Sequence, residues 1–279
     1  MLARLVVNGM DQYEGFNPGG EKANYFGDMY LEITPMTFDV KVREGDALSQ
    51  LRLFYGPPED SQMSSKQVYE TILGEGASDG SLGVDLTPVE ISGIQGVAFC
   101  ARRGEEKDPI PLWKEVNEEK RPAPWDYWKF VPQDQDRPNR LKIEKEQFYL
   151  LRSKQKISVP PGIAVYCRAS DETIGEMRIH YAGFAHPFFG KRDDGEPGTP
   201  LIFEVRGHQI NVSLADGERM ANLIFYRMSE DCGKPEKGDN PEDPYNTQTL
   251  QLSKFFRGWP KPPARLERIS DDGIVAPAQ

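Results

Sequence analysis

Residues Glu32 to Phe54 and Glu204 to Tyr226 overlay at a constant spacing of 172 positions with no gap. Glu32/Glu204, Val40/Val212, Gly45/Gly217 and Leu51/Leu223 are identical, and Ile33/Val205, Glu44/Asp216, Asp46/Glu218, Leu48/Met220, Gln50/Asn222 and Phe54/Tyr226 are conservative. Retention of a leading glutamate together with an acidic-Gly-acidic turn sets this apart from a chance match of two apolar strands, and self-similarity at a fixed spacing is the mark of one fold unit used twice. The same spacing carries Met1–Val7 onto Thr173–Ile179.

Each copy reads as strands joined by a turn. Tyr30–Ile33 is a short strand, Phe38–Val42 alternates apolar and polar with period two, and Leu48–Phe54 does so again. Glu44-Gly45-Asp46 supplies the turn, where glycine accepts a positive φ. In the second copy the counterparts are Leu201–Val205, Ile210–Leu214, Asp216-Gly217-Glu218 and Met220–Tyr226. The 26 glycines and 23 prolines fall throughout the chain and break every helical run, while 38% hydrophobic residues suffice for a core. A mainly β fold follows.

Between the copies, Gly56-Pro57-Pro58 ends the first unit, and Ser64–Leu73 reads as one short helix capped by Ser64 or Ser65. New strands are expected at Leu82–Leu86, Val89–Ile91 and Val97–Ala101, then at Phe148–Leu151 and Ala164–Cys167. The charged, proline-dense stretch from Gly104 to Pro138 reads as a surface excursion, with Trp113, Trp125 and Trp128 as anchors pinning it to the core.

The net charge of −10 repels a phosphate backbone, so nucleic acid is not an expected partner, whereas a few local cations suffice for one nucleotide. No stretch approaches the ~20 apolar residues of a membrane span, so no membrane partner is expected either. Cys100, Cys167 and Cys232 are odd in number and widely spaced, which points away from a disulfide framework or a zinc site and towards reduced thiols in the cytoplasm.

Several segments together resemble the deoxycytidine triphosphate (dCTP) deaminase family, in its tandem-duplicated form, within the dUTPase-like superfamily. Cys167-Arg168-Ala169-Ser170 is similar to the family's Gly-Arg-Ser-Ser motif, and His180-Tyr181-Ala182-Gly183-Phe184-Ala185-His186-Pro187 to its Thr-Ala-Gly-Phe-x-Asp-Pro segment. Leu201-Ile202-Phe203-Glu204-Val205 resembles the strand of the catalytic glutamate, Asp216–Leu223 the Pro-Gly-x-x-Ile-Gly-Gln-Leu turn, and Tyr245-Asn246-Thr247-Gln248 the Tyr-x-x-Gln that closes over the nucleotide. In the first copy Leu2-Ala3-Arg4-Leu5 resembles the end of Ser-Ser-x-x-Arg-Leu, Tyr30-Leu31-Glu32 the glutamate strand, and Leu48-Ser49-Gln50-Leu51 the turn.

The resemblance implies a dUTPase-like distorted β-barrel (β-clip) in tandem, the first copy N-terminally incomplete. It divides the chain into a C-terminal part of the first repeat (1–60), a linker with a short helix (61–78), a complete second repeat (79–258) and a tail (259–279). It also implies catalysis by Glu32, Arg4 and Glu204, and nucleotide binding by Ser170, Arg168, Ala182, Gly183, Tyr245, Gln248 and Gln50. The reaction would be hydrolytic, at a cyclic amidine C–N bond, giving dUTP and ammonia for deoxynucleotide supply. Mg²⁺ would arrive with the triphosphate, without a dedicated protein cage. Zinc deaminases carry H-x-E with PCxxC; here PCxxC is missing and the histidines are scattered at 180, 186 and 208, so no zinc is expected.

A glutamate that activates water needs burial or tight hydrogen bonding to tune its pKa, and its place within an apolar strand offers that to both Glu32 and Glu204. The constant spacing pairs Glu32 with Arg4 but Glu204 with Glu176, which gives the chemistry to the first copy and leaves the second to shape the assembly and supply the lid. His180 and His186 read as structural hydrogen-bonding residues. The family resemblance further implies a homo-oligomer of threefold or pseudo-threefold symmetry. Two other readings stand beside this one: a dUTP diphosphatase on the same fold, for which His186 replaces the expected aspartate, and a non-catalytic nucleotide-binding protein with decayed sites.

Overall fold

The computed structural model describes residues 1–10, 15–17, 25–103, 107–113, 117–170, 177–181, 184–190, 198–233 and 249–259. In chain order its strands begin with β1 (Leu2–Val7), β2 (Met29–Thr34), β3 (Val40–Lys41) and β4 (Gln62–Met63), followed by helix α1 (Lys66–Leu73). Next come β5 (Ser81–Asp85), β6 (Val89–Ile91), β7 (Ile94–Gly96), β8 (Ala98–Ala101), β9 (Ile110–Pro111), helix α2 (Pro124–Tyr127) and β10 (Trp128–Val131). The series continues with β11 (Arg140–Ile143), β12 (Phe148–Ile157), β13 (Ile163–Ala169), β14 (Met177–Tyr181) and β15 (Phe184–Ala185), and closes with β16 (Thr199–Gly207), β17 (Val212–Ala215) and β18 (Arg219–Arg227).

These elements form two units. The smaller comprises Met1–Leu53, Gly104–Pro122 and Lys254–Arg257. In it β1 and β2 pair antiparallel, β3 pairs parallel with β9, and the Arg43 guanidinium lies 4.5 Å from the centre of the Trp113 ring. The tryptophan thus anchors its segment by a cation–π contact. The expected strand Phe38–Val42 shortens to Val40–Lys41, and the expected strand Leu48–Phe54 does not form. Period-two alternation is present there, but a strand also needs neighbours to accept its ladder, and among the described residues none pairs with it.

The larger unit comprises Phe54–Arg103, Ala123–Ser253 and Gly258 onward. Its main sheet runs β10-β8-β12-β5-β18-β13-β15, with β16 joining β12 to β14 and β4 beside β18. The ten-residue β12 serves several partners in turn, and its register shifts between Arg152 and Lys156. At that irregularity the buried Ser153 hydroxyl accepts from the Leu201 amide at 2.9 Å, so a polar group in the core is satisfied. Alternate residues of β16 and β18 point inward, and Phe203, Val205, Leu223 and Phe225 join Phe99, Phe130 and Leu151 in the core.

Helix α1 starts where Ser65 Oγ accepts from the Val68 amide at 3.3 Å and stops at Gly74, whose φ of 98° suits glycine. Val68 and Ile72, one turn apart, are its buried face. The Gly104–Pro138 stretch is not all surface: α2 and β10 fall within it, and β10 enters the main sheet with Trp128 and Phe130 buried.

Candidate active site

In the small unit, Arg4 of β1 lies directly opposite Glu32 of β2, so both side chains share one face of the hairpin. The Arg4 Nη1 donates to Glu32 Oε2 at 3.2 Å, and the two side chains are 31% and 54% exposed. The pair can orient a carboxylate and place a cation beside developing negative charge. The sheltered environment expected for Glu32 is not found. Around it Tyr30, Leu31 and Thr34 are exposed as well.

Glu204 stands in the reverse situation. Its strand β16 is interior, with Leu150 of β12 opposite on one side and Tyr181 of β14 on the other. Burial pushes its carboxyl above the ordinary carboxylate range. The strand register also corrects the assignment of Glu176 to the position facing Glu204. Thr34 faces Leu2, but Arg206, 172 positions on from Thr34, faces Arg178, which lies four residues beyond the counterpart of Leu2. Tyr181 therefore occupies the place facing Glu204, next to a register irregularity at His180, and Glu176 itself lies outside the described residues.

The sequence matches two family profiles end to end: residues 1–57 match the N-terminal domain of 2'-deoxycytidine 5'-triphosphate deaminase, and residues 59–256 match its C-terminal domain. The chain belongs to the dCTP deaminase family. The crystal structure of 2'-deoxycytidine 5'-triphosphate deaminase from Agrobacterium tumefaciens has the same fold, with a TM-score of 0.62 at 24% identity. That similarity covers 82% of this chain and 64% of the other. This chain therefore spans under two thirds of that protein's length. No curated protein sequence matches.

Of the nucleotide-binding positions that the dCTP deaminase resemblance singles out, Arg168 is exposed on β13 opposite Asn222 of β18, itself the counterpart of Gln50. Ser170 follows at the strand end, its amide donating to the Met220 carbonyl at 3.0 Å. Gln50 is exposed in the irregular stretch after β3. Ala182, Gly183, Tyr245 and Gln248 lie outside the described residues. The His186 ring has Nδ1 2.6 Å from the Pro187 carbonyl and sits edge-on to Phe189, a structural arrangement in keeping with the sequence reading. Among the described residues no group of three or more His, Cys, Asp or Glu is placed to hold a metal ion, and no helix is long and apolar enough to cross a membrane.

Sequence reasoning passed over Arg206. Alternation along Phe203-Glu204-Val205-Arg206 already places it on the face of Glu204, and that was the available signal.

Proposed function

We propose that this chain converts dCTP and water to dUTP and ammonia, with Glu32 as general base and Arg4 as the group that orients it. Glu32 takes a proton from water as the oxygen adds to C4 of the cytosine ring. That proton passes to N3 of the ring, and as the C4–O bond becomes a carbonyl the remaining hydroxyl proton is relayed through Glu32 to the exocyclic amine, which departs as ammonia. General acid–base assistance of this kind contributes about 10²–10⁴-fold. Magnesium belongs to the substrate, bound to its phosphate oxygens. Ser170 and Arg168, with Gln50 and the Ala182-Gly183 segment, are the proposed nucleotide contacts, and Tyr245 with Gln248 the proposed closure.

The observation that carries this reading is the Arg4–Glu32 pair, facing across one hairpin at 3.2 Å within the residues that match the family's N-terminal domain. Glu32 has water around it in the single chain, and a threefold or pseudo-threefold homo-oligomer that covers this hairpin would supply the missing shelter. The matched turns at Gly45 and Gly217, each with positive φ, support reading the chain as the tandem form.

The test is to incubate the protein with dCTP and Mg²⁺ and follow ammonia and nucleotide products. Glu32→Gln is expected to lower ammonia release at least 10²-fold, while Glu204→Gln retains activity within about tenfold. Equal losses in both would overturn the division of labour. Bound but unaltered dCTP would overturn the catalytic reading itself, and release of dUMP from dUTP would move the chain to diphosphatase chemistry.

A further inference from the structure

Strand β2 pairs with β1 on one side, and among the described residues no strand takes the backbone groups of its other edge. In the larger unit that edge is filled. There β16, the counterpart of β2, pairs with β14 on one side and β12 on the other, and Leu150 of β12 lies opposite Glu204. The repeated unit is thus built to hold a strand at this edge.

Met29, Tyr30, Leu31 and Glu32 are all exposed, Met29 and Leu31 on one face of β2 and Tyr30 and Glu32 on the other. A free apolar edge is a template for another chain unless charge, proline or a cover blunts it. Met29–Thr34 contains no lysine or proline, and its one charge, Glu32, is engaged by Arg4.

The residues also select the strand that fits. Two copies of β2 laid antiparallel about Leu31 set Leu31 against Leu31 and Met29 against Ile33 on one face, and Tyr30 against Glu32 on the other. Centring the pair on Tyr30 would set Asp28 against Glu32, and centring it on Glu32 would set that carboxylate against itself; like charges oppose both. A slip of one residue would face Leu31 with Tyr30 or Glu32 and lose the apolar match.

We infer that β2 pairs in this register with β2 of a second copy of the chain, joining the two hairpins into one sheet of order β1-β2-β2-β1. Tyr30 of the second copy then stands opposite Glu32 as Leu150 stands opposite Glu204, and its ring keeps water from the Arg4–Glu32 pair. That last role rests on the proposed function; the pairing does not. The contact is two-fold, so it requires an even number of copies, and with threefold symmetry it gives a dihedral assembly.

Sedimentation equilibrium and disulfide trapping of the full chain test it. The protein is expected to contain an even number of copies, and Leu31→Lys to halve its mass, because lysine blocks edge pairing. Leu31→Cys is expected to join two copies under mild oxidation, above the background of the native cysteines, and Leu51→Cys to leave them separate. A monomer or an odd number of copies overturns the inference, and so does trapping by Leu51→Cys without trapping by Leu31→Cys. Should Leu31→Lys fail to fold, Leu31→Cys decides, with far-UV circular dichroism confirming that it is native. Tyr30→Ala is expected to lower ammonia release from dCTP by about tenfold or more with the assembly retained, and unchanged release overturns the role of Tyr30. A protein that pairs through β2 yet never deaminates dCTP upholds the pairing and overturns the proposed activity instead.

Discussion

Two stretches of nearly matching pattern, Leu48–Phe54 and Met220–Tyr226, have opposite fates. Leu223 and Phe225 are 6% and 1% exposed within β18, whereas their counterparts Leu51 and Leu53 are 64% and 86% exposed and belong to no strand. The preceding turn does not account for the contrast. Gly45 and Gly217 have φ of 86° and 76°, Asp46 Oδ2 accepts from the Arg43 amide at 2.7 Å, and Glu218 Oε2 accepts from the Ala215 amide at 2.8 Å. What differs is the neighbourhood. β18 pairs with β13 on one side and β5 on the other, whereas among the described residues no strand pairs with Leu48–Phe54. Local chemistry makes the turn; pairing makes the strand.

The contrast can be broken most sharply at the two glutamates. Arg4→Ala leaves Glu32 without its cation and is expected to lower ammonia release from dCTP by about 10²–10³-fold. Tyr181→Phe, at the equivalent register position facing Glu204, is expected to lower it less than tenfold. Comparable losses would mean that both hairpins do chemistry.

Packing gives the next largest difference. Phe225→Ala is expected to cost about 3–5 kcal/mol in denaturant unfolding, and Leu53→Ala, 172 positions earlier, less than about 0.5 kcal/mol. A substantial loss from Leu53→Ala would show that the first stretch is covered in solution.

A smaller effect is expected where the turns meet their surroundings. Asp216 accepts from the Leu86 amide at 2.9 Å and from Lys154 Nζ at 2.6 Å. Burial alone would raise its carboxyl, yet these contacts outweigh it and hold Asp216 below the ordinary range. A depressed folded-state pKa gives stability that is present above the unfolded value of about 3.9 and is lost as pH falls through the folded one. Asp216→Asn is therefore expected to cost about 1–2 kcal/mol at neutral pH and to flatten the acid limb of a stability–pH profile. Glu44→Gln, its counterpart, is expected to leave both unchanged.

The smallest effect tests what the two stretches share. Gly45→Ala and Gly217→Ala each force a side chain into positive φ and should cost similar amounts, about 1 kcal/mol by thermal unfolding. Unequal costs would show that the turns are alike only in outline.

These particulars mark what could be read from the sequence. Alternation and turn residues located β5, β13, β16 and β18, and the serine before Lys66 located the start of α1. Period two says which face a residue takes but not whether a partner exists, so Leu48–Phe54 looked like a strand. A gap-free overlay likewise carries no information on loop length. The register slips by four residues at Arg206 and by five at Glu204, beyond the irregularity in β14, so the place that the constant spacing gives to Glu176 is filled by Tyr181. Glu32 was legible as a residue with a partner, since Arg4 was named with it. Its exposure was not, because shelter depends on what lies over the strand and not on the strand itself.

The pairing of Gly83 with Arg219 joins residues 136 positions apart, and Leu82 meets Ala221 beside it. Contacts of such separation make folding slow, because a long loop must close before they form. During synthesis β5 emerges early and waits for nearly the whole of the larger unit before its ladder partner arrives. Nascent chains halted before β18 are thus expected to engage chaperones through Leu82 and Val84, and to release them once Arg219–Arg227 has cleared the ribosome.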